Sequence, residues 1–435
     1  MDNEFPAAVP VQPNDSFAAP GTKAKHEHGV IYQGEFETPW DGTAVAVRLH
    51  ARALAAQGVP LLLRSFSNMV IDADGIAEPV HFVGIPNEVT KEVGALIDVS
   101  VGLAAPNIKH LVVRSSEYLR QVIVPRSAIA ADDNIDVLIK MRNSIYSNTI
   151  LYTVWERDRV DPEIVKHLER VAEVWVPCRQ NQDMLLANGV TNVHVVPHPF
   201  DPASDILKLT RRPPHTDGVK RFYSIGRWEP RKGFDEIIAS FLRAFKPGDR
   251  AQLTIKYSGG NWEGYPTPEE SLRSRTEETM YNGWTQSYVA QHVKLIGGKL
   301  PRSRVVELHY RNNIYVSASH GEAFALPAFE AKLAGNRLVH VPWGGTADFG
   351  DVSDVEIAYT MGPVHPSYHW ERDARWAAYA HDLLTSALLM AKIPESFKAP
   401  SGIHERFSLD AVGKLMLQRV NAVLESAGSK VRYGQ

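Results

Sequence analysis

From Val30 onward, short runs rich in β-branched and aromatic residues alternate with stretches whose apolar positions recur about every three to four residues. That alternation is what parallel α/β layers require. The run 30–36 in "HGVIYQGEF" reads as a strand, and after the "ETPWDGT" loop Val45, Leu49 and Leu54 form a helical stripe that Gly58 can end. "VPLLLRS" follows as the next strand. "TILYTVWE", "EVWVP" and "NVHVVPH" are strand-like, separated by helical patterns in "PEIVKHLERVA" and "QNQDMLLANG". A second series opens at "RFYSIGRW". It continues through a helix over 235–245, the strands "QLTIKYS" and "HVKLIGG", a helix over 303–310, the strand "NIYVSAS", a helix over 327–334 and the strand "RLVHVPW". Ser408 can cap a last helix whose residues Val412, Leu415, Met416, Val420 and Val423 share one apolar face. The expected class is therefore α/β, in two successive units.

The breaks in this pattern suggest the domain limits. Residues 1–25 are rich in Pro, Ala and small polar residues without a period and read as a loosely attached arm. The stretch "ASDILKLTRRPPHTDGVK" is polar, basic and contains prolines, as a linker does. The expected organisation is an arm over 1–25, a first α/β domain over 26–205, a linker over 206–219, a second α/β domain over 220–405 and a C-terminal helix and tail over 406–435. The segment 259–291 is longer than an ordinary connection and reads as a lid, a binding loop or an oligomer contact.

Composition mainly excludes. Lys plus Arg number 47 against 50 Asp plus Glu in 435 residues, a formal net charge of -3, so the basic excess of a nucleic-acid binder is missing and such a partner is disfavoured. Cys178 is the single cysteine, which fits a reducing compartment. With no apolar run of transmembrane length and no signal-peptide pattern, the expected location is the cytoplasm.

Two clusters carry chemistry. In "SASHGEAFALPAFEAKLAG", residues 317–335, a strand runs through a tight loop into a helix that Pro327 can start and Gly335 can stop. Glu322 then lies on the loop at the carboxyl end of the strand, and Glu330 about one turn inside the helix. Ligands of open α/β sheets gather at that edge, and the helix start suits phosphate. Carboxylates there repel phosphate, so neutral sugar hydroxyls are their better partners. The plain alternative is a solvated loop glutamate and an acid favoured in a first helical turn. In "YSIGRWEPRKGFDEIIASF", Gly226 follows a strand and Arg227 and Lys232 stand five positions apart on a loop before the next helix. Together they can neutralise about the two charges of a diphosphate. Taken singly, each is an ordinary surface charge.

In order and separation the two clusters resemble the retaining, nucleotide-sugar-dependent glycosyltransferases of family 4, which have the GT-B fold. "GRWEPRKGF" resembles that family's donor-binding loop, and "SASHGEAFALPAFEAKLAGNRLVHVPWGG" its E-x7-E motif; "VWVPCRQNQDMLLANGVTNVHVVPHPFDP" is similar to the segment that closes the first domain. The resemblance covers most of 145–350 and is weaker before it. It implies two Rossmann-like domains facing across a cleft, with the C-terminal helix packing back on the first. Arg227 and Lys232 would hold the donor diphosphate, Glu322 would contact the donor sugar beside the backbone of Ala323 and Phe324, and Glu330 would bind the ribose. Lys299 and Leu300 in "LIGGKLP" would line the nucleobase pocket, and Gly42 resembles a glycine loop near the phosphates, with one glycine where many members have two. Where the family often has a histidine, this chain offers Trp155 and Glu156 on the acceptor side.

The implied reaction is hexosyl transfer from a UDP-, GDP- or ADP-linked sugar to an acceptor hydroxyl, with no bound cofactor and no metal required. "DADG" at Asp72 to Gly75 could mimic a metal-binding D-x-D but suits a turn, and "HEH" at His26 to His28 has no third ligand in view. Trp155, Trp175 and Trp262 read first as core or loop anchors, Trp262 being the best of them for acceptor contact, and His198 and His320 flank strand ends near the cleft. A GT-B-shaped nucleotide-sugar epimerase and a non-catalytic nucleotide-sugar binding module share these features. A glycoside hydrolase has the paired carboxylates but no use for the paired cations.

Overall fold

The computed structural model describes residues 29–35, 42–65, 70–71, 77–78, 81–83, 106–113, 115–124, 135–201, 203–211, 213, 215–368, 373–429 and 432–433. The N-terminal arm, His26 to His28 and the Asp72 to Gly75 turn lie outside these residues. The first sheet is built from β1 (Val30–Gly34), β2 (Leu61–Ser65), β3 (His81–Val83), β4 (Asn107–His110), β5 (Thr149–Tyr152), β6 (Glu173–Val176) and β7 (Val193–Val195). Its order is β3-β2-β1-β4-β5-β6-β7, parallel throughout except for β3, which runs antiparallel to β2. Helix α1 (Gly42–Ala55) connects β1 to β2. Every residue of β5 and of β6 is buried, which is why these strands read as continuous apolar runs rather than alternating ones.

The second sheet contains β8 (Lys220–Arg227), β9 (Ala251–Ser258), β10 (Val293–Ile296), β11 (Ile314–Ser317), β12 (Arg337–His340) and β13 (Val355–Glu356). All pairs are parallel, in the order β10-β9-β8-β11-β12-β13. Counted from β8, this is the 3-2-1-4-5-6 order of a doubly wound nucleotide-binding sheet, whose ligand crevice opens between its first and fourth strands. Helix α2 (Phe234–Ala244) follows β8, and α3 (Leu326–Leu333) joins β11 to β12. The crevice therefore lies between the carboxyl ends of β8 and β11, the two places where the sequence puts its charged clusters.

Helix α4 (Leu409–Ser426) is capped by Ser408, whose hydroxyl accepts from the Ala411 N–H at 3.2 Å. It returns to the first domain, where Val412, Met416 and Val420 join one core with Val47, Ala51 and Leu54 of α1. A Cβ on Gly413 would stand 2.2 Å from the Ala53 carbonyl oxygen, so the two helices meet backbone to backbone. This contact explains a departure from the pattern. Val45 and Leu49 of the expected stripe are half-buried, while the buried face of α1 is Ala44, Val47, His50, Ala51 and Leu54. Squeezed between a sheet and a second helix, α1 buries a wide face in which small side chains allow the close approach.

Residues 205–211 form a short helix and a 3-10 turn, with Ile206 buried beside Phe200 and Phe407. The segment 259–291 holds helices Pro268–Glu278 and Gln286–His292 and docks on α2: the Trp284 indole donates to the Leu242 carbonyl at 2.8 Å, and Arg275 pairs with Asp235 at 2.6 Å. Among the described residues no helix is long and apolar enough to cross a membrane. Cys178 is buried, and burial pushes its thiol up to about 12, so it is an inert core group.

Candidate active site

The loop leaving β11 is held by the glycine pair after β12. Gly344 has φ +102°, and a Cβ there would lie 1.7 Å from the Glu322 carbonyl oxygen, so only glycine lets the two backbones pair. Gly345 N–H donates to that carbonyl at 3.3 Å. Ala325, just before α3, has φ +67°, the only non-glycine in the left-handed region among the described residues. Such a conformation persists where surrounding contacts over-determine it, and it turns the chain from the Glu322 loop into the helix.

Around Glu322 the charges of both loops converge. Lys232 Nζ forms an ion pair with Glu322 Oε1, and the Ser319 hydroxyl donates to the same oxygen at 2.7 Å. Arg231 Nη1 stands 3.6 Å from Glu322 Oε2 and 3.0 Å from Glu156 Oε1, and Nη2 bonds Glu229 at 2.5 Å. Burial alone would raise the Glu322 carboxyl; Lys232 and Arg231 outweigh it and hold Glu322 below its ordinary value. For Glu156 the balance reverses, because burial outweighs the pull of Arg231 and the carboxyl is raised. Two neighbouring carboxyls are thus pushed apart in acidity, a mark of functional sites.

Of these groups, Glu156, Lys232 and Glu322 face a cleft of about 190 Å³ between the two sheets, with Arg231 buried behind them. Gly42, Glu156 and His198 line it from the first domain, and Lys232, Glu322, Ala323 and Phe324 from the second, so seven of the candidate site residues read from the sequence meet there. Others stand apart from that lining. Arg227 is exposed at the end of β8, Lys299 is exposed and Leu300 half-buried after β10. Glu330 has its own polar seat: Arg302 Nη1 at 2.6 Å, His309 Nε2 at 3.4 Å, and behind His309 the Tyr223 hydroxyl at 2.7 Å. Burial raises the Glu330 carboxyl, but Arg302 and His309 prevail and keep it lowered. Trp155 belongs to the core of the first domain, its indole donating to the Arg159 carbonyl at 2.8 Å. Trp175 is fully buried, and Trp262 stacks on Tyr368 with centroids 5.1 Å apart. His320 is held between Trp376 and Tyr379 and bonds the Ala377 carbonyl at 2.7 Å.

Two features escape sequence reasoning. Arg231 is 8% exposed and central to the cluster, yet in the text it is one more cation beside Lys232. Beneath the cleft lies a group of rings, His50, His110, Tyr32 and Tyr152, around His198, which alone of them the sequence places at a strand end near the cleft; His110 and His198 stand in the cleft wall. Burial lowers all three histidines, His50 to about 4, so they are neutral at pH 7. Only the carboxyl-end position of His110 on β4 could have flagged it. Among the described residues no group of three or more His, Cys, Asp or Glu could hold a metal ion.

Among solved structures, the chain is similar to Anabaena Alr3699/HepE in complex with UDP, at a TM-score of 0.53 and 11% identity over 91% of this chain and 100% of that one. The fold is GT-B, two Rossmann-like domains facing across a cleft. The same Anabaena protein in complex with UDP-glucose matches at TM-score 0.51 and 13% identity, covering 92% of this chain and 99% of that one. A glycosyltransferase from Rickettsia africae matches at TM-score 0.50 and 11% identity, covering 92% of this chain and all of that one, 100%. No protein-family model matches the sequence, and no curated protein does. Within this GT-B frame, the Lys232–Glu322 pair occupies the switch point of the second sheet and Glu156 faces it from the first.

Proposed function

We propose that the protein is a retaining glycosyltransferase of the family 4 type, moving a hexosyl group from a nucleotide diphosphate sugar to an acceptor hydroxyl. The observation that carries this reading is the meeting of Lys232 and Glu322 at the crevice of the second sheet, opposite a first-domain wall that ends in Gly42 and Glu156. In the resting cleft Lys232 neutralises Glu322. An incoming diphosphate draws Lys232 away, with Arg227 reaching in from the end of β8, and Glu322 is freed to accept hydrogen bonds from the donor sugar. The backbone of Ala323 and Phe324 lies beside it, and Gly42 leaves room for the phosphates. Glu330, ionised by Arg302 and His309, takes the ribose hydroxyls, and Lys299 and Leu300 border the nucleobase.

In the reaction the bond from the sugar's anomeric carbon to the β-phosphate oxygen breaks, and its electron pair leaves with the diphosphate. The acceptor oxygen bonds the anomeric carbon from the same face, and its proton passes to the departing phosphate oxygen. Lys232 and Arg227 stabilise the charge that develops on the leaving group, which is where preorganised cations lower a barrier most. This route asks nothing of a metal ion. The acceptor enters past Glu156, with Trp155 supporting that wall from the core. A buried single cysteine suits the reducing cytoplasm as the place of action.

The test is a thermal-shift and nucleotide-release screen against UDP-, GDP- and ADP-sugars, with and without EDTA. UDP-sugars come first, because the Anabaena protein of like fold binds UDP and UDP-glucose. Stabilisation with slow release of free nucleotide in EDTA is the expected result. Release that needs a divalent cation overturns the metal-free route, isomerised sugar without release indicates an epimerase, and tight binding without turnover a binding module.

A further inference from the structure

Arg231 has no part in the roles above, yet it is a buried charge that joins the two domains beside the cleft. Its guanidinium meets Glu156 of the first domain at 3.0 Å, and Glu229 and Glu322 of the second at 2.5 and 3.6 Å. It also donates to the Gly321 carbonyl at 2.6 Å. The backbones touch at this point: a Cβ on Gly321 would lie 2.1 Å from the Glu156 carbonyl oxygen. Once a diphosphate engages Lys232, Glu322 loses its ion-pair partner, while Arg231 still faces both Glu322 and Glu156.

We propose that Arg231 is a positioning residue that ties Glu156, on the acceptor side, to Glu322, on the donor side, and keeps their spacing fixed after Lys232 turns to the diphosphate. The proposal rests on the glycosyl-transfer reading of the same cleft. Fixed spacing matters because a displacement of about 1 Å in a reacting group costs on the order of a hundredfold in rate. Arg231 also bears on the titration of Glu156. The charged groups facing that carboxyl are Arg231 and Lys232, which lower it, and Glu322 and Glu229, which raise it together with burial. His110 and His198 share the cleft wall and are kept neutral by burial. Removing the guanidinium charge therefore raises Glu156 further and lifts Glu322 from its lowered position, and the acidic limb of a pH–rate profile moves to higher pH.

The experiment compares wild type, Arg231→Gln and Arg231→Lys in steady-state transfer from the sugar nucleotide that the wild type releases, across pH 5 to 9. The expected result for Arg231→Gln is a loss of kcat on the order of a hundredfold, little change in donor KM, and an acidic limb displaced to higher pH. Arg231→Lys returns the limb toward its wild-type position. If Arg231→Gln leaves Glu229 buried, unpaired and unfolding, the double variant Glu229→Gln/Arg231→Gln removes that charge as well and is read in the same way. Wild-type kcat in these variants overturns the proposal. So does an equal loss at every pH, or a lysine variant no better than glutamine, since both mean a merely structural arginine. A wild type that releases no nucleotide brings down the glycosyl-transfer reading itself, an outcome distinct from variants that match an active wild type.

Discussion

Glu322 is asked to be buried and charged at once, and the molecule meets that demand with two cations and a serine hydroxyl. Each partner can be tested singly. Glu322→Gln and Lys232→Ala are expected to lower turnover by a factor of about a hundred or more, the scale of losing one preorganised transition-state contact, in variants that still fold but melt lower, since each breaks a largely buried ion pair. Normal turnover in either variant, properly folded, removes these residues from the site. Gly344 carries a different burden. Gly344→Ala places a methyl group against the Glu322 carbonyl in a left-handed backbone, and we expect a loss of about 2 kcal/mol or more in urea denaturation together with lost activity. A silent alanine there means that the loop is not held as described. At this scale the sequence was only partly legible. Glu322 and Lys232 stood out because they recur in a recognisable spacing, whereas Arg231 and His110 owe their significance to what folds against them.

The C-terminal helix shows what an element contributes beyond its own residues. Its Ser408 cap and its apolar face were readable from spacing, and the structure puts that face on α1. Arg419 was not readable as a partner of anything. It reaches across to Glu173 on β6, bonding Oε2 at 3.0 Å and pairing with Oε1, while the Trp175 indole donates to Glu173 at 2.8 Å. Arg419→Ala leaves a buried carboxylate without its cation, and an expected loss of about 3 kcal/mol follows in chemical denaturation. The double variant with Glu173→Gln recovers part of it; if the two losses simply add, the residues are not coupled. The same element explains the misjudged face of α1. A helix packed on one side shows a narrow stripe, but α1 is covered by the sheet and by α4, so alanines count as core.

Across the whole molecule, the neutral histidines beneath the cleft set its response to acid. His50, His110 and His198 are held by burial below the ordinary histidine range, His50 at about 4. The unfolded chain takes up these protons near pH 6.5 and the folded one only lower, so the stability they confer is fully present at pH 7 and is lost as pH falls toward 4. For His50 alone the loss amounts to about 3 kcal/mol. Urea midpoints at pH 7 and pH 5 should differ accordingly, and His50→Gln should flatten the difference; equal midpoints in the wild type refute it.

The alternation of strand and helix along the chain determined the α/β class and the existence of two such series, because hydrophobic period is a local property written residue by residue. It determined too that two charged loops would stand at carboxyl ends of strands, since a loop's place follows from its flanking elements. Tertiary structure alone decided the rest. Strand order sets which loops become neighbours, so only the 3-2-1-4-5-6 winding brings the end of β8 beside the end of β11 and Lys232 onto Glu322. Only the facing of one sheet on the other brings Glu156 within reach of Arg231. Contacts between residues far apart in the chain leave no period to read, and their energy depends on burial and distance that exist only once the two domains have closed on each other.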